Sequence, residues 1–211
     1  MIGMVLETER LILDTWQSDD WTAFRPIATD VEVMRYITGG IPWSDEQIQS
    51  LVNRQIETYR TQGFCRWKLL EKPAMNLIGF CGVGFWRDSM DPEIGWWLAS
   101  SCWGRGLATE AATPALQDVF ERVRLERVIS VAMPDNQAST RIMQKLGLEF
   151  DGEFESNGVR LVRYALDRAT YEIRQTADVD APPEPESECN VQQIPGQADR
   201  GCRMLRHGPL A

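Results

Sequence analysis

The sequence predicts a mixed α/β (α+β) domain, in which a central mixed, mostly antiparallel sheet of about seven strands is flanked by about four helices. Three observations predict it. Helical segments precede most of the strand-like runs. Three β-rich runs between Phe64 and Leu98 then follow one another through short turns. Finally, the β-branched run Arg127 to Met133 comes after a helix, so it crosses over to lie parallel to the strand before that helix.

Leu11 to Trp16 alternates after the charged Glu7-Thr8-Glu9-Arg10 and reads as a first strand near a sheet edge. Ser18 is the expected cap of a helix carrying Asp19 and Asp20 in its first turn and Trp21, Phe24 and Ile27 on its apolar stripe. Val31, Met34 and Ile37 mark a further short helix ended by Gly39-Gly40. Ser44-Asp45-Glu46-Gln47 has the form of a capping box, so the next helix runs from Asp45 to Gln62 and stops at Gly63. Phe64 to Glu71 and Asn76 to Trp86 form a hairpin, and Gly79, Gly82 and Gly84 point to a bulge or a close backbone approach. Arg87 to Pro92 is a turn, and Glu93 to Leu98 completes the meander. A helix from Gly106 to Arg124 follows, with Pro114 expected to kink it. Pro134-Asp135-Asn136 starts a helix from Gln137 to Lys145, closed by Gly147. Glu149 to Glu155 and Gly158 to Leu166 pair around the turn signal Asn157-Gly158.

Composition bounds what the chain does. With 211 residues, of which 43% are hydrophobic, it is long enough for one cored domain. No Phe, Trp or Tyr follows Tyr171, whereas Pro182, Pro183, Pro185, Pro195 and Pro209 crowd the end. Residues 1–170 are therefore read as the domain and residues 171–211 as a disordered, Pro-rich acidic tail. Met1 to Leu6 is too short and wrongly flanked for a signal peptide, and no run approaches the roughly 18 apolar residues of a membrane span, so the expectation is a cytoplasmic protein without membrane contact. Cys65, Cys81, Cys102, Cys189 and Cys202 are odd in number and lack C-x-x-C spacing, and His207 stands alone. Neither a metal site nor a His-centred triad is expected. A formal charge of −9 argues against nucleic acid.

The chemistry-bearing stretch is Trp103-Gly104-Arg105-Gly106-Leu107-Ala108-Thr109-Glu110, between the strand Glu93 to Leu98 and a helix start. Two glycines one residue apart let the backbone turn tightly and aim N–H groups at one concavity, where the helix dipole favours an anion. The same pattern also serves as a plain tight connection. It is no P-loop, which needs four residues between its glycines and then Lys-Ser/Thr. Nor is it a dinucleotide fingerprint, because Thr109 stands where the third glycine belongs.

Element order and this stretch together resemble the GCN5-related N-acetyltransferase (GNAT) superfamily over about Glu7 to Leu166. Its acetyl-CoA motif is commonly Gln/Arg-x-x-Gly-x-Gly/Ala; Gly106 and Ala108 match its Gly and Gly/Ala positions while Trp103 departs from its first position. Trp-Gly-x-Gly-x-Ala-x-Glu-Ala is similar to the subgroup that includes the ribosomal-protein N-terminal acetyltransferases. The segment Asn136 to Gly147 resembles the family's Asn-x-x-Ser stretch ending in Lys-x-Gly-Phe, with Leu148 in place of Phe.

The resemblance implies an acetyl-CoA-dependent N-acetyltransferase that moves an acetyl group directly to a primary amine, either a protein N-terminus or a small molecule, as a monomer or homodimer. The implied acetyl-CoA contacts are Trp97, Leu98, Arg105, Gly106, Leu107, Ala108, Thr109, Asn136 and Arg141, with Lys145 near the adenosine phosphates; no metal is implied. Glu93, on a strand resembling the subgroup's Glu-Ile-Gly, is the implied base, and acts directly, through a water, or by attracting an ammonium. Ser139 is implied beside the departing sulfur, because the Tyr some relatives use is Met143 here. Asn136 and Ser139 also read simply as a helix cap and a first-turn serine. Trp96 and Trp97 must face opposite sides of their strand, one toward the core and one toward the cavity. A non-catalytic CoA-binding or protein-interaction module is the alternative.

Overall fold

The computed structural model describes residues 5–86 and 89–179. Its elements are β1 (Leu6–Glu7), β2 (Leu11–Asp14), α1 (Trp21–Ala28), α2 (Val31–Met34), α3 (Asp45–Gln62), β3 (Arg66–Glu71), β4 (Asn76–Phe85), β5 (Pro92–Leu98), α4 (Leu107–Glu121), β6 (Arg127–Ala132), α5 (Gln137–Lys145), β7 (Glu149–Ser156), β8 (Val159–Asp167) and α6 (Arg168–Val179). Eight strands make one sheet in the order β1-β2-β3-β4-β5-β6-β8-β7. Every neighbouring pair is antiparallel except β5 and β6, which run parallel as the crossover through α4 requires.

Alternation along β5 sorts the two faces. Ile94, Trp96 and Leu98 look toward α4 and α5, where Trp67, Leu107, Phe120 and Met143 form the larger core. Trp97 looks the other way, among Phe24, Ile48, Val52 and Phe80 beneath α1, α2 and α3. The glycines of β4 permit close approach. A Cβ on Gly79 would stand 2.0 Å from the Trp97 carbonyl oxygen, and one on Gly82 2.4 Å from that of Cys65. The register also shifts opposite Gly79, between Leu69 and Leu70, so the bulge and the close approach expected from the sequence occur together.

Several expectations are corrected. Outside the near-edge strand, which is β2, lies one further short strand, β1, which gives eight. Ser18 does not cap α1: the N-cap is Asp20, whose carboxylate is drawn instead to the buried Lys68 ammonium at 2.7 Å and the Gln17 N–H at 2.6 Å. A buried lysine requires a counter-ion, and that demand outweighs capping. Helix α4 ends at Glu121, short of the expected Arg124, with Pro114 inside it and Ala111, Ala112, Ala115 and Leu116 buried. The expected boundary at residue 170 lies inside α6, where Tyr171 stacks on Phe120 at 4.9 Å and Arg174 reaches Glu149 at 2.7 Å. The remainder of the expected tail, residues 180–211, lies outside the described residues, with Cys189, Cys202 and His207.

The expected limits of α3 hold. The Ser44–Gln47 capping box is complete, Gly63 closes α3 in the left-handed region, and Cys65, Cys81 and Cys102 are buried free thiols. Burial pushes the Cys65 and Cys81 thiols upward, which makes them inert. Among the described residues, no helix is long and apolar enough to cross a membrane.

Candidate active site

The parallel strands β5 and β6 pair at one position only, Glu93 opposite Ile129. The Ser130 hydroxyl braces this point by donating to the Ile94 carbonyl at 2.9 Å. Beyond it the strands part, and a cavity of about 670 Å³ occupies the gap, with Gly95 to Leu98 on one bank and Val131 to Met133 on the other. The Ala99 N–H bonds the Ile78 carbonyl at 2.8 Å. By the alternation of an antiparallel ladder, Trp97 and Gly95 then bond β4, while the N–H groups of Trp96 and Leu98 turn toward the gap. The Leu98 carbonyl accepts the Trp103 indole N–H at 2.9 Å. One bank of the cavity is thus an unpaired strand edge.

At the outer end of the gap lies the glycine turn. Gly104 (φ 72°) and Gly106 (φ 79°) adopt the left-handed backbone that disfavours a side chain. Gly106 is the N-cap of α4 and supplies no side-chain cap, and the N–H groups of Leu107, Ala108 and Thr109 lack carbonyl partners within the helix. All four residues line the cavity. The turn is anchored by Glu110, whose carboxylate accepts from the Thr8 hydroxyl at 2.6 Å, the Arg10 N–H at 2.9 Å and the Arg10 guanidinium at 2.7 Å. Arg10 also donates to the Arg105 carbonyl at 3.0 Å. Burial opposes ionisation of Glu110, yet the hydrogen bonds from Thr8 and Arg10 outweigh it and hold the carboxyl below its usual range.

Across the gap, Asn136 caps α5 by accepting the Ser139 N–H at 3.2 Å. This is the bland role its sequence position allows, but it spends only the carboxamide oxygen. The Ser139 hydroxyl is half-buried, lines the cavity and takes no hydrogen-bond partner among the described residues. Arg141 and Lys145 line the same wall, exposed and on one helix.

The inner end is aromatic and charged. Trp97 packs between Trp43 at 4.9 Å and Phe80 at 5.1 Å, and Tyr36 and Trp86 add to the wall. The α2 wall is tied across to the loop after β5, because Asp30 caps α2 and accepts from the Ser100 hydroxyl at 2.6 Å. Glu93 stands at the point where the strands part, only 12% exposed, and it is ion-paired with Arg66 of β3, which is 13% exposed. The Arg66 guanidinium lies across the sheet over Gly84 and Gly95, where an added Cβ would meet it in ordinary contact at 3.4 Å. Register explains the reach, since Arg66, Gly82 and Gly95 form one row across three strands.

The family model described as an acetyltransferase (GNAT) domain matches residues 10–149. This chain belongs to the GNAT family. The uncharacterized N-acetyltransferase YnaD of Bacillus subtilis (strain 168) is 28% identical over 152 residues, covering 72% of this chain and 86% of YnaD. Among solved structures, a GNAT-family acetyltransferase from Bacillus anthracis is 25% identical with a TM-score of 0.66, covering 79% of this chain and 99% of that one. RimL, a ribosomal L7/L12 α-N-protein acetyltransferase solved in complex with coenzyme A, shares the fold at 17% identity and a TM-score of 0.65, over 79% of this chain and 99% of its own.

In this GNAT chain the gap brings together Glu93, Trp97, Leu98, Gly106, Leu107, Ala108, Thr109, Asn136, Ser139 and Arg141, all of them foreseen in the sequence. Arg105 is not among them. Its side chain is ion-paired with Glu71 and also reaches the Cys102 sulfur at 3.9 Å, turned away from the cavity. The choice left open between Trp96 and Trp97 resolves into both: each is half-buried, they occupy opposite faces, and both border the gap. Sequence reasoning missed Arg66, Arg54 and Tyr36. The available signal for Arg66 was the glycine spacing in β4 and β5, legible only once the register is known. Among the described residues, no group of three or more His, Cys, Asp or Glu side chains could hold a metal ion.

Proposed function

We propose that this GNAT chain transfers the acetyl group of acetyl-CoA to a primary amine within a ternary complex. The observation that carries the reading is the unpaired β5 edge leading from Glu93 to the uncapped start of α4. An amide-bearing pantetheine arm fits such an edge as a substitute strand. The N–H groups of Leu107, Ala108 and Thr109 bind the pyrophosphate, and Asn136 and Arg141 add contacts from the facing wall. Hydrogen bonds to charged groups contribute roughly 1.5–3 kcal/mol each, so three of them offset the acidic total. Arg105 joins them by exchanging Glu71 for a phosphate, at little cost because solvent screens an exposed ion pair. RimL, of the same fold, was solved with coenzyme A, and MccE with acetyl-CoA and AMP.

In the transfer, the amine nitrogen bonds to the thioester carbon, the C–S bond breaks, and one amine proton is released. The Leu98 N–H faces the gap and is placed to stabilise the developing oxyanion. Ser139 donates its hydroxyl proton as a hydrogen bond to the departing sulfur. Glu93, ion-paired with Arg66, accepts a hydrogen bond from the amine or an intervening water and passes the proton outward rather than storing it. The acceptor is a small amine or a protein N-terminus.

The Arg66 ion pair also favours a second reading, a CoA-binding module without turnover, because a paired carboxylate is a weak base. Thiol release across an amine and peptide panel separates the two. For the donor site, Gly106→Glu adds a strained left-handed residue and a negative charge at the anion cradle. Calorimetry should show acetyl-CoA affinity reduced by at least about tenfold, the equivalent of one lost charged hydrogen bond. Unchanged affinity would reject the assignment.

A further inference from the structure

We propose that the acceptor carries a carboxylate beside its amine, and that Arg66, with Arg54 at the cavity wall, holds that carboxylate. This rests on the acetyl-transfer reading and narrows its acceptor. Among the described residues, Glu93 is the only acid lining the cavity, whereas Arg54, Arg66, Arg141 and Lys145 are the bases. Arg141 and Lys145 sit on α5, which leaves Arg54 and Arg66 at the inner, aromatic end. Arg66 is ion-paired with Glu93 there, and Arg54 lines the same cavity.

Arg66 is under-used by the protein. Among the described residues its guanidinium makes one hydrogen bond, from Nη2 to Glu93, and its Nε is buried with no partner. A guanidinium has five N–H donors in a planar fork, and a desolvated one needs them filled. The strand that carries it is tied to α3, because Gln55, itself buried, accepts the Arg66 backbone N–H at 3.1 Å. A carboxylate is the ligand that matches the fork in charge and geometry.

The same charge suits the chemistry. The single acid at the reaction point is already compensated, so nothing there concentrates a simple cationic amine. A guanidinium beside the acceptor disfavours its ammonium form and so supplies more free amine, the nucleophile. The aromatic wall of Tyr36, Trp43, Trp86 and Trp97 accommodates an apolar side chain. The acceptor class is thus an amino acid or similar amino-carboxylate with an apolar side group.

Isothermal calorimetry with L-phenylalanine, L-leucine and their carboxamides tests this, with and without saturating coenzyme A so that donor binding is read separately. The acids should bind at least about tenfold more tightly than their amides. Arg54→Gln and Arg66→Lys should each reduce that ratio below about threefold while leaving coenzyme A affinity unchanged. Arg54 is on an exposed helix surface, so its variant keeps the test sound if Arg66→Lys fails to fold. Amides that bind as well as the acids, no binding by either, or variants that weaken coenzyme A instead of the acids would overturn the proposal.

Discussion

Glu93 and Arg66 illustrate what a residue can and cannot announce. Glu93 was legible because it begins a strand whose Glu-Ile-Gly sequence resembles a known subgroup. Arg66, 27 positions earlier, resembles nothing in particular. Its role arises from register, a long-range property in which β3, β4 and β5 bring an arginine, two glycines and a glutamate into reach. The pairing changes what substitution should do. Glu93→Gln should lower the rate constant for turnover near neutral pH by about tenfold to a hundredfold. Acetyl-CoA affinity by calorimetry should stay within about twofold, since on the proposed reading Glu93 serves the acceptor. Full turnover in the variant would remove Glu93 from the mechanism. Asn136, by contrast, was ambiguous in sequence and is dual in structure: a helix cap through its oxygen, with the nitrogen left to the cavity.

At the scale of elements, α4 carries the site and Glu110 holds α4. A carboxylate inside the first turn of a helix ordinarily serves the dipole. Here it also binds Thr8 and Arg10, fastening the helix start to the turn between β1 and β2. Glu110→Gln should cost about 1–3 kcal/mol in urea denaturation at pH 7 through lost charge-assisted bonds. The folded carboxyl lies below its ordinary value of 4.5. A lowered folded value means the contribution is complete above the unfolded value and is lost as pH falls through the folded one. The gap between wild type and variant should therefore close on acidification below about pH 4.3. A gap that persisted at pH 2 would assign the loss to packing instead.

The same scale shows why element boundaries read well where local chemistry decides them. The Ser44–Gln47 box and Gly63 delimit α3 by themselves. They read poorly where a distant partner decides: Asp20 answers to Lys68, and α6 exists because Tyr171 finds Phe120 and Arg174 finds the end of α5. Composition of the final segment drew attention to the prolines beyond residue 181 and away from that helix.

For the whole molecule, the order of strands and helices followed from periodicity and turn chemistry, but the parting of β5 from β6 did not. Parallel pairing was legible; its restriction to one position is a product of the whole sheet. The two sides of the molecule are covalently joined through α4 and line one cavity, so occupancy of it by coenzyme A, as proposed above, should register as global stability. Coenzyme A at about a hundredfold over its dissociation constant should stabilise the fold by about 2.7 kcal/mol. In thermal denaturation this corresponds to a rise of roughly 5–10 °C for a domain of this size. No rise, at a concentration that saturates by calorimetry, would mean that the ligand binds the unfolded chain as well or outside the gap.

The single Glu93–Ile129 contact, braced by Ser130, has a mechanical consequence. Two rigid leaves pinned at one place behave as a lever pair: a slight rotation at the pin produces its largest displacement at the free ends, where the glycine turn and α5 face each other. On the acetyl-transfer reading proposed above, the reacting atoms would sit beside the fulcrum, where displacement is least, and the nucleotide end of the donor at the tips, where it is greatest.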